Sequence, residues 1–110
     1  IMNLPSLEKF EPYLKNSGSI YLNSSLIKRG LERRDINNIV KVPANDLAKE
    51  IGNAKVSNMV MLGAYLANNQ FISIDTVKES LPEILSTRYH SFIPINEKAL
   101  DIGAAVIEKV

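Results

Sequence analysis

Residues 56–67 constrain this chain more than any other stretch. Val56, Met59, Val60, Met61, Leu62, Leu66 and Ala67 fall within one helical length and leave almost no polar face. A helix that is apolar all round belongs at the centre of a core or of an interface. It is too short to span a membrane. The uninterrupted apolar-or-small run 59–67 has nine residues, against the roughly 20 that a spanning helix needs. Gly63 lies in its interior, where glycine costs about 1 kcal/mol relative to alanine. The sequence therefore predicts that another backbone approaches closely at Gly63 and Ala64. Asn58 lies on the same segment. Buried alone, its amide would cost roughly 1–3 kcal/mol, so a hydrogen-bond partner is expected.

The chain has 110 residues, 45% of them hydrophobic and 23% charged, which is room for one globular domain with its own core. It has no cysteine. Disulfides, thiolate zinc sites, a cysteine nucleophile and cysteine ligation of iron–sulfur clusters are therefore outside its reach. The absence fits a reducing cytoplasm. The single histidine, His90, excludes a multi-histidine metal site. Thirteen basic and twelve acidic residues leave a net charge of +1, a balance that argues against dedicated nucleic-acid binding. No basic region followed by an apolar run marks a signal peptide. The first residue is Ile1, which is the expected look of a segment from inside a longer protein or of a tagged or processed end.

Asn3 caps a first helix with Pro5 in its first turn. Leu4, Leu7, Phe10 and Leu14 recur at helical spacing, and Pro12 kinks or ends the run. Residues 16–18, Asn-Ser-Gly, form a turn. Residues 19–22 (Ser-Ile-Tyr-Leu) read as a short strand and 36–42 as a second, joined through a polar connection at 28–35. Pro43 stops the second strand and opens a helix over 44–51, which Gly52 ends. After the apolar helix, Ser73 caps another to about Leu85, with Pro82 as a kink or break. Residues 86–94 read as a loop holding His90. A last helix runs from about Asn96 to Lys109, with Leu100, Gly103, Ala104 and Ile107 as its apolar stripe. The class is α/β, but two short strands are too few for a stable parallel sheet.

Several segments in order resemble one family. Residues 2–10 (Met-Asn-Leu-Pro-Ser-Leu-Glu-Lys-Phe) resemble its "MNxPxLxKF", and residues 22–27 (Leu-Asn-Ser-Ser-Leu-Ile) its "VNSSLI". Residues 42–48 resemble "VPATExA", residues 52–64 "GNxxVxNMVMLGA", and residues 96–103 "NxKALxxG". The family is the gamma subunit of 2-oxoacid:ferredoxin oxidoreductases, and the likeness covers essentially the whole chain. The family's glycine-rich "GxGGQG" region has no counterpart here. The resemblance thus implies the C-terminal part of a gamma domain, residues 1–110, within a Rossmann-like three-layer fold. Ile1 and Met2 would end a strand that starts upstream. It implies oxidative decarboxylation of a 2-oxoacid with coenzyme A, giving acyl-CoA, carbon dioxide and reduced ferredoxin. The opening segment leans towards the 2-oxoglutarate branch. Thiamine diphosphate, magnesium and iron–sulfur clusters would sit in partner subunits of alpha, beta and delta type, and this chain would be a cytoplasmic, non-catalytic accessory part.

No catalytic or metal-ligating residue stands out. Five residues are candidates for cofactor or subunit contact: Asn23, Ser24, Ser25, Asn58 and Gly63. The first three follow a strand, where open α/β sheets bind ligands. Equally, they form a turn that bonds its own backbone. Asn58 would meet a subunit or cofactor, or bond a loop internally. Gly63 with Ala64 and Ala67 would dock another chain, or pack a helix on the sheet of the complete domain. Lys28, Arg29, Arg33 and Arg34 form the one basic excess, suited to coenzyme A phosphates or an acidic ferredoxin, or simply to a solvated loop. His90 reads as an exposed loop residue, and Asp46 with Glu50 as helix surface. A different class of function stays open: a small stand-alone module that self-associates through residues 59–67, with no redox role. In isolation the exposed sheet edge and the apolar helix favour a homodimer or aggregation.

Overall fold

The computed structural model describes residues 1–69 and 71–108. It is a mixed α/β domain, mostly helical, with a two-stranded open sheet. Helix α1 (Leu4–Phe10) begins at Asn3, whose side chain accepts a hydrogen bond from the Ser6 N–H. Pro12 ends it, and residues Glu11–Tyr13 tighten into a 3-10 turn. Strand β1 (Ser19–Asn23) pairs in parallel with β2 (Asn38–Val42), Tyr21 opposite Val40. The second strand is shorter than its sequence implies. Ile36 falls outside it but is still buried, packed with Leu7, Ile20, Leu22 and Ile27.

Ile1 extends the sheet. Its nitrogen donates to Tyr21 O at 2.8 Å, and its carbonyl accepts from the Asn23 N–H at 2.9 Å. One residue bonded to two partners two apart is the pattern of a parallel ladder. β1 is therefore engaged along both edges, and it is buried from Ile20 to Asn23. β2 is exposed at Asn38, Ile39 and Lys41.

Because the strands are parallel, residues 24–37 must cross back without a helix. Glu11 and Arg33 organise that crossing. The buried Glu11 carboxylate accepts from the Arg33 N–H at 2.8 Å. The Arg33 guanidinium donates to the carbonyls of Glu11 and Leu14 and to both oxygens of Asp35. Hydrogen bonding from Arg33 holds the exposed Asp35 carboxyl below its ordinary 3.8.

Four helices follow. α2 (Ala44–Glu50) ends at Gly52, which takes φ +99°; glycine meets no Cβ penalty there. α3 (Ser57–Asn68) is the apolar helix of the sequence. α4 (Ile74–Ile84) is capped by Ser73 and keeps Pro82 inside its last turn rather than breaking at it. Residues Thr87–Phe92 form a 3-10 turn where a loop is expected, and it runs directly into α5 (Ile93–Glu108). That helix starts three residues before Asn96. Lys109, its expected end, lies outside the described residues.

The core centres on α3 against α5. Val60 and Ala64 are buried with Ala99, Val42, Ala44 and Ala48. Leu66, Leu81 and Leu100 bring in α4. The two helices meet backbone to backbone. A methyl on Gly63 would overlap the Leu100 carbonyl oxygen and lie 2.8 Å from its carbon. A methyl on Gly103 would overlap the Val60 carbonyl oxygen and lie 3.1 Å from Ala64 N. The expected close approach is thus real, and helix α5 supplies it. It is neither a foreign chain nor helix-on-sheet packing.

Neither clash has a flexible side chain to move aside. Gly103→Ala should therefore cost about 3 kcal/mol, the upper range for overpacking. Gly30, with open space where a Cβ would go, should accept alanine within about 1 kcal/mol. Urea midpoints of the two variants check this. Equal midpoints would refute the backbone contact.

Candidate functional site

The turn after β1 leads into the start of α2. Pro43 precedes that helix and offers no capping side chain, so the first N–H groups need partners from elsewhere. Asn23 and Ser25 provide them across the fold. Asn23 Oδ1 accepts from Ala44 N at 3.1 Å and from Ser25 N at 3.3 Å. Ser25 Oγ accepts from Asp46 N at 3.1 Å. Asn23 Nδ2 donates to Met2 O at 3.1 Å and to Asn45 Oδ1 at 2.9 Å. Asn23 is 0% exposed, and both its donors and both its acceptor lone pairs are spent inside the chain. It ties residue 2, β1 and α2 together. Ser24 is half-buried; its N–H meets Val42 O and its carbonyl accepts from Lys28 Nζ.

Asn58 corrects the sequence. It is exposed, not buried, and its amide has no hydrogen bond among the described residues. It sits at the rim of a groove of about 310 Å³ between the starts of α3 and α5 and the 3-10 turn 87–92. Met59, Leu85 and Phe92 line the apolar part. Asn53 and Asn96 stand beside it. A second groove, of about 610 Å³, includes Asn68, Val106 and Ile107. Since the first turns of α3 and α5 share one groove and their last turns another, the two helices run in the same sense. Gly63 lies between them, buried, with no face left for a partner.

The basic excess is mostly consumed at home. Arg33 holds the crossing, Arg29 lies 3.7 Å from Glu11, and Lys28 meets Ser24 O. Arg34 alone of the four has no partner among the described residues. His90 is half-buried, and its Nε2 lies 2.9 Å from both Pro82 O and Leu85 O. Carbonyls only accept, so Nε2 carries a proton, and the ring closes the C-terminal end of α4. Sequence reading missed this capping role, which only the Pro82 and Leu85 carbonyls reveal. Among the described residues no three His, Cys, Asp or Glu side chains come together as metal ligands. With no cysteine either, these residues do not fit an iron–sulfur cluster. No described helix is long and apolar enough to cross a membrane.

A family profile described as pyruvate ferredoxin/flavodoxin oxidoreductase matches residues 1–106. The chain belongs to that family. The oxidoreductase family assignment agrees with the fold: the crystal structure of the gamma subunit of a keto/oxoacid ferredoxin oxidoreductase from Geobacter sulfurreducens PCA superposes with a TM-score of 0.85 at 21% identity. The superposition covers 99% of this chain and 62% of that subunit. This chain therefore spans about three fifths of the length of that relative. No curated protein matches it.

Because all four hydrogen bonds of Asn23 are internal, Asn23→Ala should leave Met2 O and the Ala44 N–H without partners. A loss of about 2–6 kcal/mol is expected, at about 1–3 kcal/mol for each of these two orphaned groups. Thermal or urea unfolding of the variant checks it. A loss below about 1 kcal/mol would show that water replaces the asparagine freely.

Proposed function

We propose that this chain is an accessory, non-catalytic gamma component of a 2-oxoacid:ferredoxin oxidoreductase. The observation that carries the reading is the family match over residues 1–106. The gamma-subunit fold at TM-score 0.85 is consistent with it. The assembly would oxidatively decarboxylate a 2-oxoacid, with 2-oxoglutarate the favoured acid from residues 2–10, and hand electrons to ferredoxin while forming an acyl-CoA. Thiamine diphosphate, magnesium and the clusters belong to alpha-, beta- and delta-type partner subunits in the cytoplasm. The chain's own residues do no redox step; they form the support on which those subunits assemble. Ser24 and Asn58 remain the contact candidates with spare polar capacity.

We further read residues 1–110 as the C-terminal part of a Rossmann-like three-layer domain. Two observations support this. Ile1 already occupies a parallel-ladder position beside β1, and the solved relative is longer. Self-association through residues 59–67 is disfavoured because α5 occupies the Gly63 face.

The test is an anaerobic assay of the purified assembly and of the chain alone. Each is given coenzyme A, a viologen acceptor, and pyruvate, 2-oxoglutarate or 2-ketoisovalerate in turn. The assembly should reduce the dye with one acid preferred, and the chain alone should not. Turnover by the chain alone would overturn the accessory role.

A further inference from the structure

The groove at Asn58 has a chemistry that the accessory reading does not use. Asn58 is an exposed carboxamide, without a hydrogen-bond partner among the described residues, at the start of an otherwise apolar helix. Across from it, Asn96 is only 8% exposed. One N–H of its Nδ2 goes to Phe92 O at 2.7 Å, and its Oδ1 accepts no hydrogen bond among the described residues, so it keeps acceptor capacity. Asn53 Oδ1 accepts from Lys55 N at 2.9 Å, and its Nδ2 makes no hydrogen bond among the described residues, so it keeps donor capacity. The groove thus presents neutral donors and acceptors side by side. A simple anion would use only the N–H half of these groups and leave the Asn96 Oδ1 acceptor unmatched. A lipid surface wants neither. The complement of alternating donors and acceptors is an extended peptide backbone, whose every residue offers one N–H and one C=O.

Two further features fix the sequence of that peptide. Met59, Leu85 and Phe92 make an apolar wall in a groove of about 310 Å³, a size suited to one or two side chains rather than a whole helix. Lys55 is the one charged side chain lining the groove among the described residues, and no carboxylate there opposes it.

We propose that this groove binds an extended segment of a partner subunit, pairing its backbone with Asn58 and seating an apolar side chain, with an acidic residue facing Lys55. The proposal rests on the accessory reading, since it names how the chain would hold a subunit. A second copy of this chain, or its own upstream residues, would leave a different mark in the experiment.

Residues 1–110 hold no cysteine, so a thiol at position 58 is the one such group within them. Asn58→Cys in the full chain, labelled with a photo-crosslinking maleimide before mixing with separately expressed partner subunits, reports what lies in the groove. The expected product is a crosslink to a single stretch of one partner subunit that carries an apolar residue next to an acidic one. In parallel, Asn58→Asp keeps the shape and suits a helix first turn, but removes the donor and sets a negative charge against the acidic residue. Association with the partner subunits should weaken about tenfold, the scale of one or two lost hydrogen bonds, with the urea midpoint of the free chain unchanged. Crosslinks within the chain or between its copies would overturn the proposal, as would Asn58→Asp binding as tightly as the parent. If the parent chain joins no partner subunit at all, the accessory reading itself falls. If it joins normally while Asn58→Asp does too, only the groove assignment is lost.

Discussion

The rest of the domain depends on two backbone contacts, Gly63 against Leu100 and Gly103 against Val60. Each glycine lets its helix lie against a carbonyl of the other, so α3 and α5 touch through backbone and not only through side chains. This closeness brings Leu100 to Leu66 and Leu81, and Ala99 to Val60 and Ala64. It gives a helix that is apolar by composition a partner that is apolar at the same depth. Close-packed interiors tolerate no spare methyl at such a point. The contact also consumes the face through which a lone apolar helix would otherwise self-associate.

A second constraint acts at the sheet. A helix that starts after proline, with no side chain of its own to cap it, leaves N–H groups unsatisfied. Here the Asn-Ser-Ser turn after β1 satisfies them from a distant point in the chain. The same asparagine holds the carbonyl of Met2, so the residues beside β1, the strand itself and α2 form one hydrogen-bonded unit. The position is where open α/β sheets often bind ligands, yet the polar groups of Asn23 all point inward. The groove at Asn58, by contrast, keeps carboxamide capacity facing out. In this domain the outward polar chemistry thus lies at the helix starts and, at the strand end, on Ser24 and not on Asn23.

Much of this was legible in the residues. Asn3 with Pro5, Pro43, Gly52 and Ser73 mark helix ends by local chemistry, and all four sit where expected. The close approach at Gly63 was legible too, because a glycine inside an apolar helix needs a compensating contact. Its partner was not, since nothing local to residues 60–64 says which backbone arrives. Asn58 was misplaced for a definable reason. Asn58, Tyr65 and Asn68 form an exposed stripe on α3, but Met61, Leu62 and Tyr65 are apolar letters that hide it. The 3-10 turn 87–92 has no apolar period to betray it, and Pro82 could stay in α4 because it falls in the last turn. The role of Asn23 was half legible: its type announces a turn, but the Ala44 N–H that it caps is far away in sequence.

The proposal that this domain works in an assembly whose chemistry lies on other chains is supported by the family match over residues 1–106. A tagged chromosomal copy, purified anaerobically from the native host, tests that claim most directly. The account predicts a defined complex in which cysteine-rich partner subunits carry iron, sulfide and thiamine diphosphate. A homogeneous self-complex free of iron and thiamine diphosphate would contradict it.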